Sequence, residues 1–214
     1  VGALSLDANS TGGNNTAVGY DALTSNTTAS ENTAVGYQAG YANTTGTQLT
    51  ALGSNALDAN TTGTLNTGLG WRALTSNTTA TSNTAVGAGV MELNTTGANN
   101  IAIGVEAMKY NTTASNNTAL GYQAGYSNTT GTVNTSVGYV AGFSNSTGSE
   151  NVSIGYGAGQ NNTASSYNTA CGNQALQNNT ASYNTGIGRT ALYSNTTGAF
   201  NTALGMNSLG LNTT

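Results

Sequence analysis

Few side chains in this chain could do acid–base, nucleophilic or metal chemistry. There are seven carboxylates, three basic groups, one cysteine and no histidine in 214 residues. Without imidazole, histidine-based proton transfer and histidine-activated nucleophiles are excluded. Glycoside hydrolysis needs two carboxylates flanking one bond. Asp7, Asp21, Glu31, Asp58, Glu92, Glu106 and Glu150 are scattered too widely along the chain for any pair to be expected to share a site. Three basic residues cannot build a nucleic-acid footprint. The stretch Gly155-Tyr156-Gly157-Ala158-Gly159 is glycine-rich but lacks the strand–loop–helix setting of a phosphate loop. The expectation is no enzyme, no catalytic residue, no metal and no cofactor.

A repeat must position these groups, because the chain consists of one. A seventeen-residue unit, Asn-Thr-Ala-Val-Gly-Tyr-x-Ala-Leu/Gly-x-Ser-Asn-Thr-Thr-Gly-Ser-x, starts at Asn15, Asn32, Asn66, Asn83, Asn100, Asn117, Asn134, Asn151, Asn168, Asn184 and Asn201, with Leu49 in the same slot of one copy. Every step is 17 except Asn168 to Asn184, which is 16. Such self-similarity marks a solenoid or fibre in which each repeat is stacked on the next. Residues 1–214 read as a single repeat array, without linker or second domain. Val1 falls in slot four, in mid-repeat, so the chain reads as a fragment of a longer fibre protein.

Composition agrees with stacked, hydrogen-bonded coils. Charged residues are 5% of the chain, against the usual quarter, and the net charge is only −4, so disorder by charge repulsion is not expected. Proline is absent, as uninterrupted strand pairing requires. No apolar run approaches a membrane span.

Slot four is apolar in every copy: Val18, Val35, Leu52, Leu69, Val86, Ile103, Leu120, Val137, Ile154, Cys171, Ile187 and Leu204. With the β-branched residue of slot two it gives strand alternation, and this pair is expected to form the core. Cys171 then counts as a small core hydrophobe rather than a redox centre. Slot three is Ala, Gly or Ser and is expected to face the other way. Slots eight and nine, Ala followed by Leu, Met or Gly, read as a second short inward strand. Slot five is always Gly, including Gly19, Gly36 and Gly53, which suggests positive φ or close backbone approach at a corner. Slot twelve is always Asn, including Asn26, Asn43 and Asn60, and is expected to turn the chain and to form an amide ladder. The charges cluster in slots seven, ten and seventeen, which should meet solvent. These slots define an all-β fold, a parallel β-solenoid or β-roll of about twelve coils with two strands per coil. At one strand spacing per coil it would span roughly 60 Å. So slim a core favours a homotrimeric fibre whose small Ala and Gly faces pack together.

Three surface patterns suggest ligands. Thr-x-Thr at slots fourteen and sixteen, as in Thr45/Thr47 and Thr130/Thr132, would give the threonine array of an ice-binding solenoid. Asn-x-Thr at slot twelve, as in Asn26-Thr27-Thr28 and Asn195-Thr196-Thr197, is a glycosylation sequon in a glycosylating host. Aromatic residues in slots six and ten, among them Tyr37, Tyr41, Trp71, Tyr122, Tyr126 and Tyr139, are candidate surface contacts. They would either stack on surface glycans or stabilise a seam between coils.

The segments Asn-Thr-Ala-Val-Gly-Tyr-Gln-Ala-Gly-Tyr (Asn32 to Tyr41) and Asn-Thr-Ala-Leu-Gly-Tyr-Gln-Ala-Gly-Tyr (Asn117 to Tyr126) resemble the repeats of phage tail-fibre proteins. Asn100-Ile101-Ala102-Ile103-Gly104 is similar to the head repeats of trimeric autotransporter adhesins. This resemblance covers the whole chain at the level of the repeat. It implies a trimeric, extracellular fibre on a cell surface or virion tail, supporting attachment to a host or surface. The expected partners are further copies of the chain, as a homotrimer or filament, and surface glycans, with no nucleic acid and no membrane insertion. An ice-binding solenoid and a self-assembling extracellular filament are the alternatives.

Overall fold

The computed structural model describes residues 2–213, so the slot-four residue Val1 lies outside the described residues. The chain divides into two compact units, Val1–Glu106 and Ala107–Thr214. Both are all-β and built from the same coil. In the first, β1 (Thr16–Val18), β2 (Thr33–Val35), β3 (Thr50–Leu52), β4 (Thr67–Leu69), β5 (Thr84–Val86) and β6 (Ile101–Ile103) pair in sequence order. In the second, β7 (Thr118–Leu120), β8 (Thr135–Val137), β9 (Val152–Ile154), β10 (Thr169–Cys171), β11 (Thr185–Ile187) and β12 (Thr202–Leu204) do the same. All these pairings are parallel, and each residue faces its repeat equivalent, as in Thr16↔Thr33. Each unit is thus a parallel β-solenoid with a seventeen-residue coil. The short copy keeps this register, with Thr169 opposite Thr185, because the missing residue comes out of its turn. There the Asn179 amide reaches the Ala181 carbonyl two residues on, where other coils span three.

One strand forms per coil, not two. Slots two to four are extended, but the expected second strand is a run of turns. Its residues alternate in hand: slot seven (Asp21, φ 56°) and slot nine (Leu23, φ 50°) both have positive φ. They still bond from coil to coil, as in Leu23 N to Ala39 O (3.0 Å) and Ser25 N to Tyr41 O (3.1 Å), so the ladder continues without strand geometry. Slot five fits both reasons given for its glycine. Gly19 has φ 136°, and a Cβ there would come within 2.3 Å of the Gly36 carbonyl oxygen.

The strand presents the opposite face to the one expected. Slot three is interior: Ala34, Ala51, Ala85, Ala102, Ala119 and Ala170 are fully buried. The slot-four residues expected in the core point outward. Val18, Leu52, Ile103, Ile154, Ile187 and Leu204 are exposed, and Val35, Leu69, Val86, Leu120, Val137 and Cys171 are half-buried. Slot two turns outward with them. The reason is the size of the coil. Slot three faces the slot-eight alanines and slot-nine leucines across a gap that fits little more than a methyl group. At Gly68 an added Cβ would already lie 3.3 Å from Leu57 Cγ. A Val or Leu in that row would overpack it. For the same reason the small faces cannot be a contact between copies, since they are already used inside each coil.

Slots eight and nine are interior as expected: Ala22, Leu23, Leu57, Leu74, Met91 and Leu192 are buried. The rest of the core is polar. Slot twelve, read as a turn and ladder position, is a column of mostly buried asparagines, and slot one, given no interior role by the sequence pattern, is mostly buried asparagine too, with buried Leu49 in one coil.

Candidate functional site

The most regular internal feature is the slot-twelve amide ladder. In the first unit Asn43 Nδ2 donates to Asn26 Oδ1 (3.0 Å), Asn60 to Asn43 (2.9 Å), Asn77 to Asn60 (2.8 Å) and Asn94 to Asn77 (2.9 Å). Each amide also closes its own turn, as Asn60 does on Gly63 O (3.0 Å). None of these asparagines has positive φ, so they are turn-closing core groups rather than left-handed corners. Slot one works differently: its oxygen caps the next coil, as Asn32 Oδ1 accepts from Leu49 N (2.9 Å). Asn26 and Asn195 are fully buried with their amides engaged, so the folded coil offers no glycan acceptor at those sequons.

The expected aromatic contacts lie on the surface, but mostly against one another. In slot six, Tyr20 stacks on Tyr37 (5.7 Å), Tyr122 on Tyr139 (5.2 Å) and Tyr139 on Tyr156 (5.3 Å). In slot ten, Tyr126 stacks on Phe143 (4.9 Å), and Tyr110, in slot eleven of the preceding coil, meets Tyr126 edge-on (5.0 Å). Tyr41 is exposed. Trp71 is exposed too, between the small slot-six residues Ser54 and Ala88, with the Arg72 guanidinium 5.3 Å from its ring. A third row went unread. Tyr167, Tyr183 and Phe200 stack at 4.8 and 4.9 Å in slot seventeen, and their shared slot would have revealed them. The Glu150 carboxylate, in the same slot one coil earlier, raises the Tyr167 phenol above its ordinary range by its charge and hydrogen bond.

Two of the charged groups are less solvated than their slots suggested, although most residues of slots seven and ten are half-buried or exposed. Asp21 and Glu92 are buried. Side chains of these two slots meet along one flank: Gln38 Nε2 reaches Asp21 Oδ2 (3.4 Å), Asn55 Nδ2 bonds Asp58 Oδ2 (3.1 Å), and Arg72 pairs with Glu92 (2.8 Å). Burial pushes the Asp58 carboxyl up, against the opposing pull of the Asn55 hydrogen bond. Among the described residues, no three His, Cys, Asp or Glu side chains gather where they could hold a metal ion. Cys171 is a free, half-buried thiol on the outer face.

Where slot sixteen holds serine, its hydroxyl accepts from the preceding coil's backbone, as Ser30 Oγ does from Gly13 N and Ser149 Oγ from Thr132 N, both at 3.0 Å; the slot-fourteen threonines Thr45 and Thr130 are exposed.

The largest candidate surface is therefore the outward side of each sheet. Slots two and four carry Thr, Val, Leu, Ile and the single Cys171 and no charge, and slots six and seventeen flank them. Most of the exposed large hydrophobic residues lie in these four slots. They include Val18, Leu52, Leu65, Trp71 and Ile101 in the first unit and Val133, Ile154, Tyr167, Ile187 and Phe200 in the second. The fold and this surface define a tandem-repeat β-solenoid with an apolar outer sheet face. No family model matches the chain, and no curated protein or solved structure matches it either.

Proposed function

We propose that this chain is the structural shaft of an extracellular fibre, of the phage tail-fibre or bacterial-adhesin kind. It supplies length and stiffness and supports attachment to a host or surface. In this reading copies of the chain associate along the outward sheet face, as a homotrimer or filament. The observation that carries it is that face itself: the threonine and aliphatic ranks of slots two and four carry no charge and repeat in register through six coils of each unit. Six strands at about 4.8 Å, by a width of about 20 Å once the flanking slots seventeen and six are counted, give roughly 600 Å² per unit, with Glu31 and Arg189 among the few charges at the edges. Patches of that size are rarely left to water, and one partner in an ordinary interface covers about 800 Å². Glycan contact by stacking is best served by Trp71, because the paired tyrosines turn their ring faces to each other.

The test is to change length without changing coil chemistry. Deleting residues 66–82, one whole repeat, shortens a shaft by about one strand spacing, about 4.8 Å, and leaves assembly and attachment intact. Loss of attachment on deleting any single coil would instead point to a localised site.

One observation favours a second reading, an ice-binding solenoid. Slot-two threonines form a rank along each sheet, beside the slot-four rank, which makes the outer sheet face a second candidate array beside the exposed slot-fourteen threonines. Thermal hysteresis abolished by Thr67→Lys, and kept by Thr62→Lys in slot fourteen, would support it. No hysteresis at millimolar protein discards it.

A further inference from the structure

The interior of the second unit breaks the packing rule that holds elsewhere, and the break has the makings of a binding site. In most coils slot nine holds Leu or Met, which fills the space beside slot three. A single glycine there is covered by its neighbour: at Gly40 an added Cβ would meet Leu23 Cδ2 at 2.9 Å. Gly125, Gly142 and Gly159 are three such glycines in succession. Met108 covers the first, with its Cγ 3.3 Å from the Cβ position. Nothing apolar covers the middle one. A Cβ at Gly142 would meet Ser136 Oγ at 2.5 Å and Ser153 Oγ at 3.8 Å, and one at Gly159 would meet Ser153 Oγ at 2.5 Å. These are slot-three serines in place of the usual Ala or Gly, so the apolar filling has been exchanged for hydroxyls.

The amide ladder fails at the same place. Asn128 is 3% exposed, and its Oδ1 has no hydrogen-bond partner. In the first unit the next asparagine would donate to it. Here Asn145 folds back on its own turn: Nδ2 donates to Gly148 O (2.8 Å), and Oδ1 accepts from Gly148 N (3.0 Å). One amide hydrogen of Asn145 remains to give. Between these groups lies a cavity of about 10 Å³, lined by Met108, Gly125, Asn128, Ser136, Gly142 and Asn145 among others. That is room for one water molecule, and a polar cavity of that size with several partners is where buried water is held.

We propose that this cavity is a specific internal water site. The water donates to Asn128 Oδ1, accepts from Asn145 Nδ2 and exchanges a hydrogen bond with Ser136 Oγ. It bridges the step from Asn145 to Asn128 that the amides leave open, while at the next coil Asn162 folds back on Ser165 in the same way. The consequence is local. The coils around β8 and β9 replace leucine burial with a single solvated contact, making them the softest part of the second unit's core.

The test compares the intact chain with Ser136→Ala/Gly142→Leu/Ser153→Ala, which restores the Leu-and-Ala packing of other coils. Oxygen-17 and deuteron magnetic relaxation dispersion counts long-lived internal waters. The expected result is one such water fewer in the variant, together with a higher melting temperature. Equal counts in two folded proteins would overturn the proposal. Should the variant not fold, a high-resolution crystal structure of the unaltered chain decides. Density within hydrogen-bond reach of Asn128 Oδ1 supports the site. A direct Asn145-to-Asn128 amide bond with the cavity closed overturns it.

Discussion

Replacing Asn60 by alanine should unravel the first unit far more than its polar character suggests. Asn60 is fully buried and makes three side-chain hydrogen bonds. Nδ2 donates to Asn43 Oδ1 (2.9 Å) and Gly63 O (3.0 Å), and Oδ1 accepts from Asn77 Nδ2 (2.8 Å). Alanine removes all three. Asn43 Oδ1 and Gly63 O then lose the donor that served them, and Asn77 keeps only its longer bond to Ala80 O (3.3 Å). At about 1–3 kcal/mol for each buried polar group left unsatisfied, three such groups come to about 3–9 kcal/mol, and water entering the gap brings the figure toward ~4 kcal/mol. The control is Thr62→Ala in exposed slot fourteen, where a surface change is worth within about 0.5 kcal/mol. Urea unfolding gives the difference, and hydrogen exchange shows whether the loss centres on the coils of Asn43, Asn60 and Asn77, since repeat arrays open locally. A shift for Asn60→Ala no larger than that for Thr62→Ala would refute the view that the amide ladder is core.

Leu74→Ala should cost about 2–5 kcal/mol because the side chain is fully buried. Leu69→Ala, on the outer face, should cost about 1 kcal/mol or less in the dissociated chain; urea midpoints at the lowest usable concentration compare them. Asp58 has its carboxyl raised in the folded state, so the neutral acid is favoured there. Its contribution to stability is present in acid and lost as pH rises through the raised value. Asp58→Asn should therefore raise the melting temperature at pH 7 and do less at pH 3. Glu150→Gln should bring the Tyr167 titration down toward the ordinary tyrosine range, as read by NMR of the ring carbons.

The period, the parallel coil and the glycine corners were legible in the sequence because they depend only on spacing. The direction of the strand was not. Thr-Ala-Val alternates whichever face is inward, and the apolar Val18 or Leu69 looked like core. What decides is the width of the coil, set by Ala22 and Leu23 across the gap, and no local pattern states that width. The missing second strand has a similar cause. Leu23 and Leu57 are not residues expected at φ near +50°, and burial of their side chains together with the coil-to-coil bonds of their amides holds them there. Asn26 and Asn60 were legible as turn and ladder residues, but their burial was not, because asparagine is usually exposed. The slot-seventeen row of Tyr167, Tyr183 and Phe200 was readable from its shared slot and was obscured by the shortened repeat between the first two.

Cover of the outward sheet face by further copies of the chain is the central proposal. The mass in solution, measured by light scattering over a range of concentrations, tests this directly. A defined multiple of the chain mass is predicted, with three copies first among the multiples, and Leu69→Lys should reduce it while Thr62→Lys leaves it unchanged. A monomer up to the solubility limit would contradict it.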